Sequence, residues 1–282
     1  MLQLLIASLI WAFSPGLIGR TLDGVSGSFL ACARLVLAVC VFLPFLRRMA
    51  TRDRPVLLAI GAVQFGLMYL CYNESFVCLQ PHEVVLFTVF TPIYVVLLHH
   101  AWQGRASWRA LLAAGLAAAG AGVVLWQRGD GLASWRGFLL IQGANLCFAV
   151  GQLAYRGWAR RREGVDDVGA MGWLYLGGML VTLPWTLLAT SRGSVALSGW
   201  QTAAVIYLGV VASGLGFFLW NSGARRTNAD VLAVCNNLKI PLGVAVSLLV
   251  FGGRADPVRL AAGSLLITAA VWISQRRAAA ES

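Results

Sequence analysis

The chain has 282 residues, 59% hydrophobic and 12% charged, with a mean hydropathy of +0.75. Soluble domains carry about 25% charged residues, and a core of this size has no room for so much apolar surface, so a soluble module is excluded and lipid must solvate the outside. The net charge of +11 would point to nucleic acid in a soluble protein, but the arginines sit at the ends of apolar runs and form no basic face.

A membrane-spanning helix takes about 20 mostly apolar residues, and its backbone groups must be satisfied within the segment. In chain order, the apolar runs predict helices over 2–19, 26–46, 55–76, 82–101, 107–126, 135–157, 168–189, 199–221, 228–250 and 257–275. The first run has no basic residue before it, so it reads as a retained helix and not a signal peptide. The predicted fold class is all-α integral membrane, with ten transmembrane helices and short connections.

Several of these helices carry residues that lipid would not welcome. The first has Trp11, Ser14 and Pro15, the proline freeing the carbonyl of Trp11. The second holds Arg34 within its span. On the third, Tyr69, Tyr72, Asn73 and Phe76 share a stripe, with Glu74 on another face. On the fourth, Glu83, Phe87, Phe90 and Tyr94 share a stripe, and Pro92 cannot donate to the carbonyl of Thr88. The sixth carries Asn145, Phe148, Gln152 and Tyr155 on one face, and the eighth carries Phe217, Trp220 and Asn221. The ninth has Leu232, Asn236, Lys239 and Gly243 on one stripe, with Pro241 freeing the carbonyl of Asn237.

Residues 72–115 and 220–263 share a pattern. Tyr72-Asn73, Thr91-Pro92 and Gly104-Arg105 recur as Trp220-Asn221, Ile240-Pro241 and Gly253-Arg254, the last two at an offset of 149. Residues 1–127 and 128–282 then read as two five-helix repeats. Five is odd, so the second enters the bilayer inverted, and the two enclose a central cavity. Loops after even-numbered helices hold fourteen arginines and the other side holds six. This places both termini in the cytoplasm.

The interrupted helices 4 and 9 would line a substrate site. Lys239 lies mid-helix, where a charge costs at least ~2.5–3.5 kcal/mol, so a solvated cavity, a carboxylate or a substrate must hold it. Lys239, Asn236 and Asn237 are expected to meet an anionic group. Tyr72, Phe87, Phe90, Tyr94, Tyr155, Trp11 and Trp220 are expected to meet the ligand's body, and the amides Asn73 and Gln152 to join in holding its anionic group. Glu83, Glu74 and Arg34 are candidates for a proton or an ion pair, with end-of-helix or structural roles as the alternative. The six cysteines form no Cys-x-x-Cys pair, and neither a His-Glu-x-x-His nor a phosphate-loop motif occurs, so no metal, disulfide framework, ATP or other cofactor is expected.

Ile10-Trp11-Ala12-Phe13, Ala31-Cys32-Ala33-Arg34-Leu35, the stretch through Thr91-Pro92 to Gly104-Arg105, and its counterpart from Leu219-Trp220-Asn221 through Pro241 to Gly253-Arg254 resemble the EamA-type transporters of the drug/metabolite transporter superfamily. Members often carry Gly-Glu-Arg after helices 4 and 9; here the glutamate is missing at both places. The resemblance implies a secondary transporter in the bacterial inner membrane, working by alternating access. Its walls come from helices 1, 3, 4, 6, 8 and 9, and it acts as a monomer or homodimer. The aromatic and lysine-bearing faces lean toward export of amino acids. Organic acids, amines and nucleobases are the alternatives, with a membrane enzyme or scaffold subunit further off. A fluorescent protein fused to the C-terminus is expected to fluoresce, and alkaline phosphatase fused there to be inactive; the opposite pair of results would reverse the orientation.

Overall fold

The structure, a computed structural model, describes residues 2–102, 104, 108–125, 131–189, 196–226, 240, 242–252, 258, 262, 265, 266 and 269. Among the described residues there is no strand. The helices are α1 (Leu2–Thr21), α2 (Gly27–Arg48), α3 (Thr51–Ser75) and α4 (Pro81–Trp102), α5 (Trp108–Leu125), α6 (Gly131–Arg160), and α7 (Asp167–Ala189) and α8 (Gly199–Arg225). Residues 242–249 are also helical. All of these except α5 and the 242–249 stretch are long and apolar enough to cross a membrane, seven in number among the described residues. Each of the eight begins and ends within four residues of the run that predicts it. Lys239, Asn236, Asn237 and Pro241 lie outside the described residues, as does most of the tenth predicted helix.

The outer surface bears Leu9, Val41, Leu139, Leu180, Leu188 and Ile206, all exposed. In water such a surface would aggregate; against acyl chains it is the solvent-facing side. Trp102, Trp135 and Trp200 are exposed near helix ends, where indoles favour the interface.

Inside, α7 packs on α2 and α3, α3 on α6, α2 on α8, α1 on α8, and α4 on α6. Hydrocarbon offers no hydrophobic drive between helices, so close van der Waals contact must hold them. The α3–α7 crossing achieves this with glycine. A Cβ added to Gly61 would overlap the backbone carbonyl of Leu174, and one on Gly177 would overlap that of Leu58.

α1, α3, α4 and α8 are irregular within their spans, and these irregularities place the site; α2 ends as a 3-10 helix over Leu43–Arg48. α1 breaks at Phe13, ahead of Pro15, and ends as a π-helix over Leu17–Thr21. α4 is interrupted at Thr88 and Val89, between Pro81–Phe87 and Phe90–Trp102. α3 is π-helical over Ala62–Leu67 and α8 over Tyr207–Leu215. Such stretches leave carbonyls that side chains must satisfy.

The arginine-rich end of the bundle is tied by ion pairs. Arg162 donates through Nε to Asp53 Oδ1 at 2.9 Å, also pairs with it through Nη2, and stacks on Trp158. Asp167 receives Arg225 on both oxygens at 3.1 and 2.7 Å and Arg226 at 3.3 Å. These contacts join the starts of α3 and α7 to the α6–α7 loop and to the end of α8. Replacing Gly61 by Val should lower stability by about 1–3 kcal/mol through overpacking, read as a fall in the thermal midpoint in detergent. Gly157→Ala, at an exposed helical site with open space around it, should leave the midpoint unchanged or raise it.

Candidate functional site

A cavity of about 730 Å³, counted out to its mouth, opens among α1, α2, α3, α4, α6, α8 and the 242–249 stretch. Most of its walls come from the half of the bundle away from the arginine-rich end. Arg34 is near the start of α2, Met68, Tyr69 and Tyr72 are near the end of α3, and Val85, Thr88 and Thr91 are in the first half of α4. Phe217 of α8 lies deepest toward the arginine-rich end, and its ring meets those of Phe65, Tyr69 and Phe148 at 4.9, 6.0 and 5.7 Å. Of these rings Phe217, Tyr69 and Phe148 line the cavity.

Trp11 forms one wall. Its indole N–H donates to the carbonyl of Ala212 at 2.8 Å, in the π-helical part of α8. Its ring meets Phe217 at 4.6 Å and Trp220 at 5.2 Å. Gly216 allows this, since a Cβ there would come within 2.7 Å of the indole nitrogen. Ser14 and Pro15 continue the wall, and Ser14 Oγ is buried with no partner among the described residues.

The α4 break forms another wall. Pro92 gives no donor to Thr88, and the chain tightens so that the Thr91 N–H bonds the Thr88 carbonyl at 3.1 Å. This leaves the carbonyl of Phe87 without a helical partner, and Asn145 Nδ2 donates to it at 2.8 Å. Thr91 Oγ1 donates to Asn145 Oδ1 at 3.1 Å, and Thr88 Oγ1 donates to the carbonyl of Val85 at 2.7 Å. The expectation of a bare Thr88 carbonyl is therefore corrected: the orphan is one residue earlier, and an α6 amide covers it.

Arg34 is 2% exposed and lines the cavity. Nε donates to Ser213 Oγ at 3.1 Å, Nη2 to Tyr69 OH at 2.9 Å, and Nη1 to Asn73 Oδ1 at 3.5 Å. The guanidinium lies 4.1 Å over the Tyr69 ring. None of these partners is charged.

The structure brings Trp11, Pro15, Arg34 and Tyr72 to the cavity, with Asn73 behind Arg34 and Trp220 behind Trp11. It sends other expected ligand residues elsewhere. Phe87 and Phe90 turn to Phe138 of α6, at 5.3 and 5.8 Å, and Tyr94 OH donates to Gln142 at 3.1 Å. That aromatic stripe is the α4–α6 seam. Gln152 is buried outside the cavity lining. Tyr155 OH donates to Asp167 Oδ1 at 2.8 Å, within the ion-pair cluster at the far end. Glu83 accepts the Gln80 N–H at 2.7 Å and caps α4. Glu74 pairs with Arg136 at 3.3 Å on the surface. Val85 and Met68 line the cavity without having been named from the sequence, and Thr88 and Thr91 line it although the sequence pointed only to a carbonyl and a repeated Thr-Pro there. The threonines sit just ahead of Pro92, where a hydroxyl can satisfy its own helix's backbone, and that spacing is the signal they offer.

Residues 1–126 and 135–275 match the EamA-like transporter family. The chain belongs to that family. A probable biotin transporter of Pseudomonas aeruginosa is 38% identical over 281 residues, covering 98% of this chain and 97% of that protein. A biotin transporter of Escherichia coli K12 is 34% identical over 288 residues, covering 100% and 95%. A probable terminal-alkyne amino-acid exporter of Streptantibioticus cattleyicolor is 25% identical over 271 residues, covering 96% and 90%. A crystal structure 21% identical in sequence superposes with a TM-score of 0.63 over 98% of both chains, a likeness of fold. This EamA-like protein is thus a multi-pass bacterial membrane transporter of a small molecule.

Asn145→Ala strands the Phe87 carbonyl and frees Thr91. Leaving a buried acceptor unpaired costs about 1–3 kcal/mol, so the thermal midpoint should fall. Asn145→Gln, which keeps the amide but displaces it, should fall less; equal falls would remove the hydrogen bond as the cause.

Proposed function

We propose that this chain carries biotin across the inner membrane by alternating access between two inverted five-helix halves. The observation that carries the substrate is the match to proteins named biotin transporters over essentially the whole chain. Biotin is a monocarboxylate whose short alkyl chain ends in a neutral fused ureido–thioether ring. The cavity offers suitable chemistry: a buried cation, aromatic walls from Trp11, Tyr72 and Phe148, and hydroxyl and amide groups from Ser14, Thr88, Thr91 and Asn145.

Packing supports the inverted repeat. α3 packs on α6 as α8 packs on α1, and α3 on α7 as α8 on α2. At an offset of 148 the π-helical stretch 62–67 of α3 falls on 210–215, within that of α8. Gly243 lines the cavity, and in the sequence Lys239 and Asn236 precede it on one helical stripe. On this reading they face the same space, with ten helices in all and both termini in the cytoplasm. The cavity then opens to the periplasm, and the ion-paired end is shut.

The amino-acid reading rests on the weaker full-length likeness to an amino-acid exporter. Reconstituted protein in liposomes is expected to take up labelled biotin saturably, and excess phenylalanine or tryptophan should not compete. Uptake of either amino acid without biotin flux would replace biotin with the amino-acid reading.

A further inference from the structure

We infer that Arg34 is the receptor for the substrate's carboxylate, and that Tyr69, Ser213 and Asn73 hold its guanidinium in place while leaving its charge uncompensated. The inference rests on the reading of the substrate as a small carboxylic acid.

The cradle's hydrogens can be ordered. Ser213 Oγ donates its one hydrogen to the carbonyl of Leu208 at 2.6 Å, a group inside the π-helical stretch of α8. Ser213 Oγ is therefore an acceptor toward its other two neighbours, Tyr69 OH at 2.7 Å and Arg34 Nε. Tyr69 must donate to Ser213 and accept from Arg34 Nη2. Asn73 Oδ1 accepts from Nη1. A guanidinium has five N–H groups; three are engaged, and one remains on each Nη atom. Those two are left for a ligand, and a guanidinium can meet a carboxylate through one hydrogen on each Nη.

Burial makes this arrangement costly unless something completes it. A buried charge is ordinarily paired with an opposite charge, yet among the described residues every partner of Arg34 is neutral and no salt bridge to it is formed. A structural arginine would be expected to keep a carboxylate, as Arg162 and Arg225 do at the arginine-rich end. Arg34 instead borders the cavity. Beside it Asn73 is 2% exposed and its Nδ2 has no partner among the described residues, which supplies one further donor. The region offers donors without a matching anion, and a monocarboxylate fits that need.

The test compares biotin with its methyl ester, which keeps the ring and chain but lacks the charge. Binding of each to purified protein is measured by calorimetry. The wild type should prefer the acid, and Arg34→Gln should shrink the acid-to-ester preference by at least ~10-fold, the scale of a lost charge-assisted hydrogen bond. A merely structural role would weaken both ligands alike and leave the ratio unmoved, which would overturn the inference. If Arg34→Gln does not fold, Arg34→Lys carries the test. It keeps a charge but loses the two Nη hydrogens, and the ratio should fall several-fold; an unchanged ratio there counts against the inference. A preference that survives in Arg34→Gln and vanishes in Lys239→Gln would assign the carboxylate to Lys239 instead. If the wild type binds neither biotin nor its ester, the biotin reading fails by itself. Thermal stabilisation by a panel of monocarboxylates and their amides then decides: stabilisation by acids alone, lost in Arg34→Gln, upholds Arg34, and its absence overturns it.

Discussion

A polar group drawn into hydrocarbon must find a partner there, and this one constraint organises the interior of the bundle. Each of α1, α3, α4 and α8 departs from regular α-helix, and with each departure a carbonyl or a side chain is answered by a neighbouring helix. Trp11 of α1 reaches Ala212 in the π-helical part of α8. Asn145 of α6 covers Phe87 at the break in α4. Ser213 closes on Leu208 within α8 and thereby becomes an acceptor for α2 and α3. The cavity is bordered by these repairs, because a helix whose pairing is complete offers nothing to a polar ligand.

Packing and polarity are divided along the bundle. The α3–α7 crossing depends on glycines that bring backbones together, and its tightness leaves little volume there. Farther from the arginine-rich end α1 and α4 are interrupted, and the cavity lies among them, α6 and their neighbours. Phe217 sits between the two regimes, with rings from α3 and α6 around it.

The course of eight helices was legible from hydropathy, since about 20 apolar residues in a row leave few alternatives. The inward faces were less so. The stripe Phe87, Phe90 and Tyr94 does share one face of α4, but that face packs on Phe138 and Gln142 of α6. An aromatic stripe suits a helix seam as well as a ligand, and spacing cannot tell which neighbour it meets. The cavity face of α4 carries Val85, Thr88 and Thr91, one apolar side chain and two small hydroxyls, which gave a weak signal. On α6 the stripe from Asn145 to Tyr155 is a single face, yet it spans three turns and so passes from the cavity into the ion-paired end. Glu83 and Glu74 were ambiguous as sequence, because a carboxylate at a helix end serves a cap or a surface pair as readily as a pocket.

Arginines at two depths illustrate how the same side chain takes different work. Arg162 and Arg225 lie at the polar end of the bundle, partly exposed, and each is met by an aspartate. Their charges are cancelled where α3, α7 and α8 converge, which stiffens that end. Arg34 lies deeper and is met by hydroxyls, an amide and an aromatic face. Neutral partners fix where the guanidinium points without reducing its field, whereas a resident carboxylate would fix it and also silence it. A carrier that must bind an anion, then release it, benefits from a cation of the first kind: its position costs little reorganisation when the ligand arrives, and among the described residues no anion has to be displaced from it first.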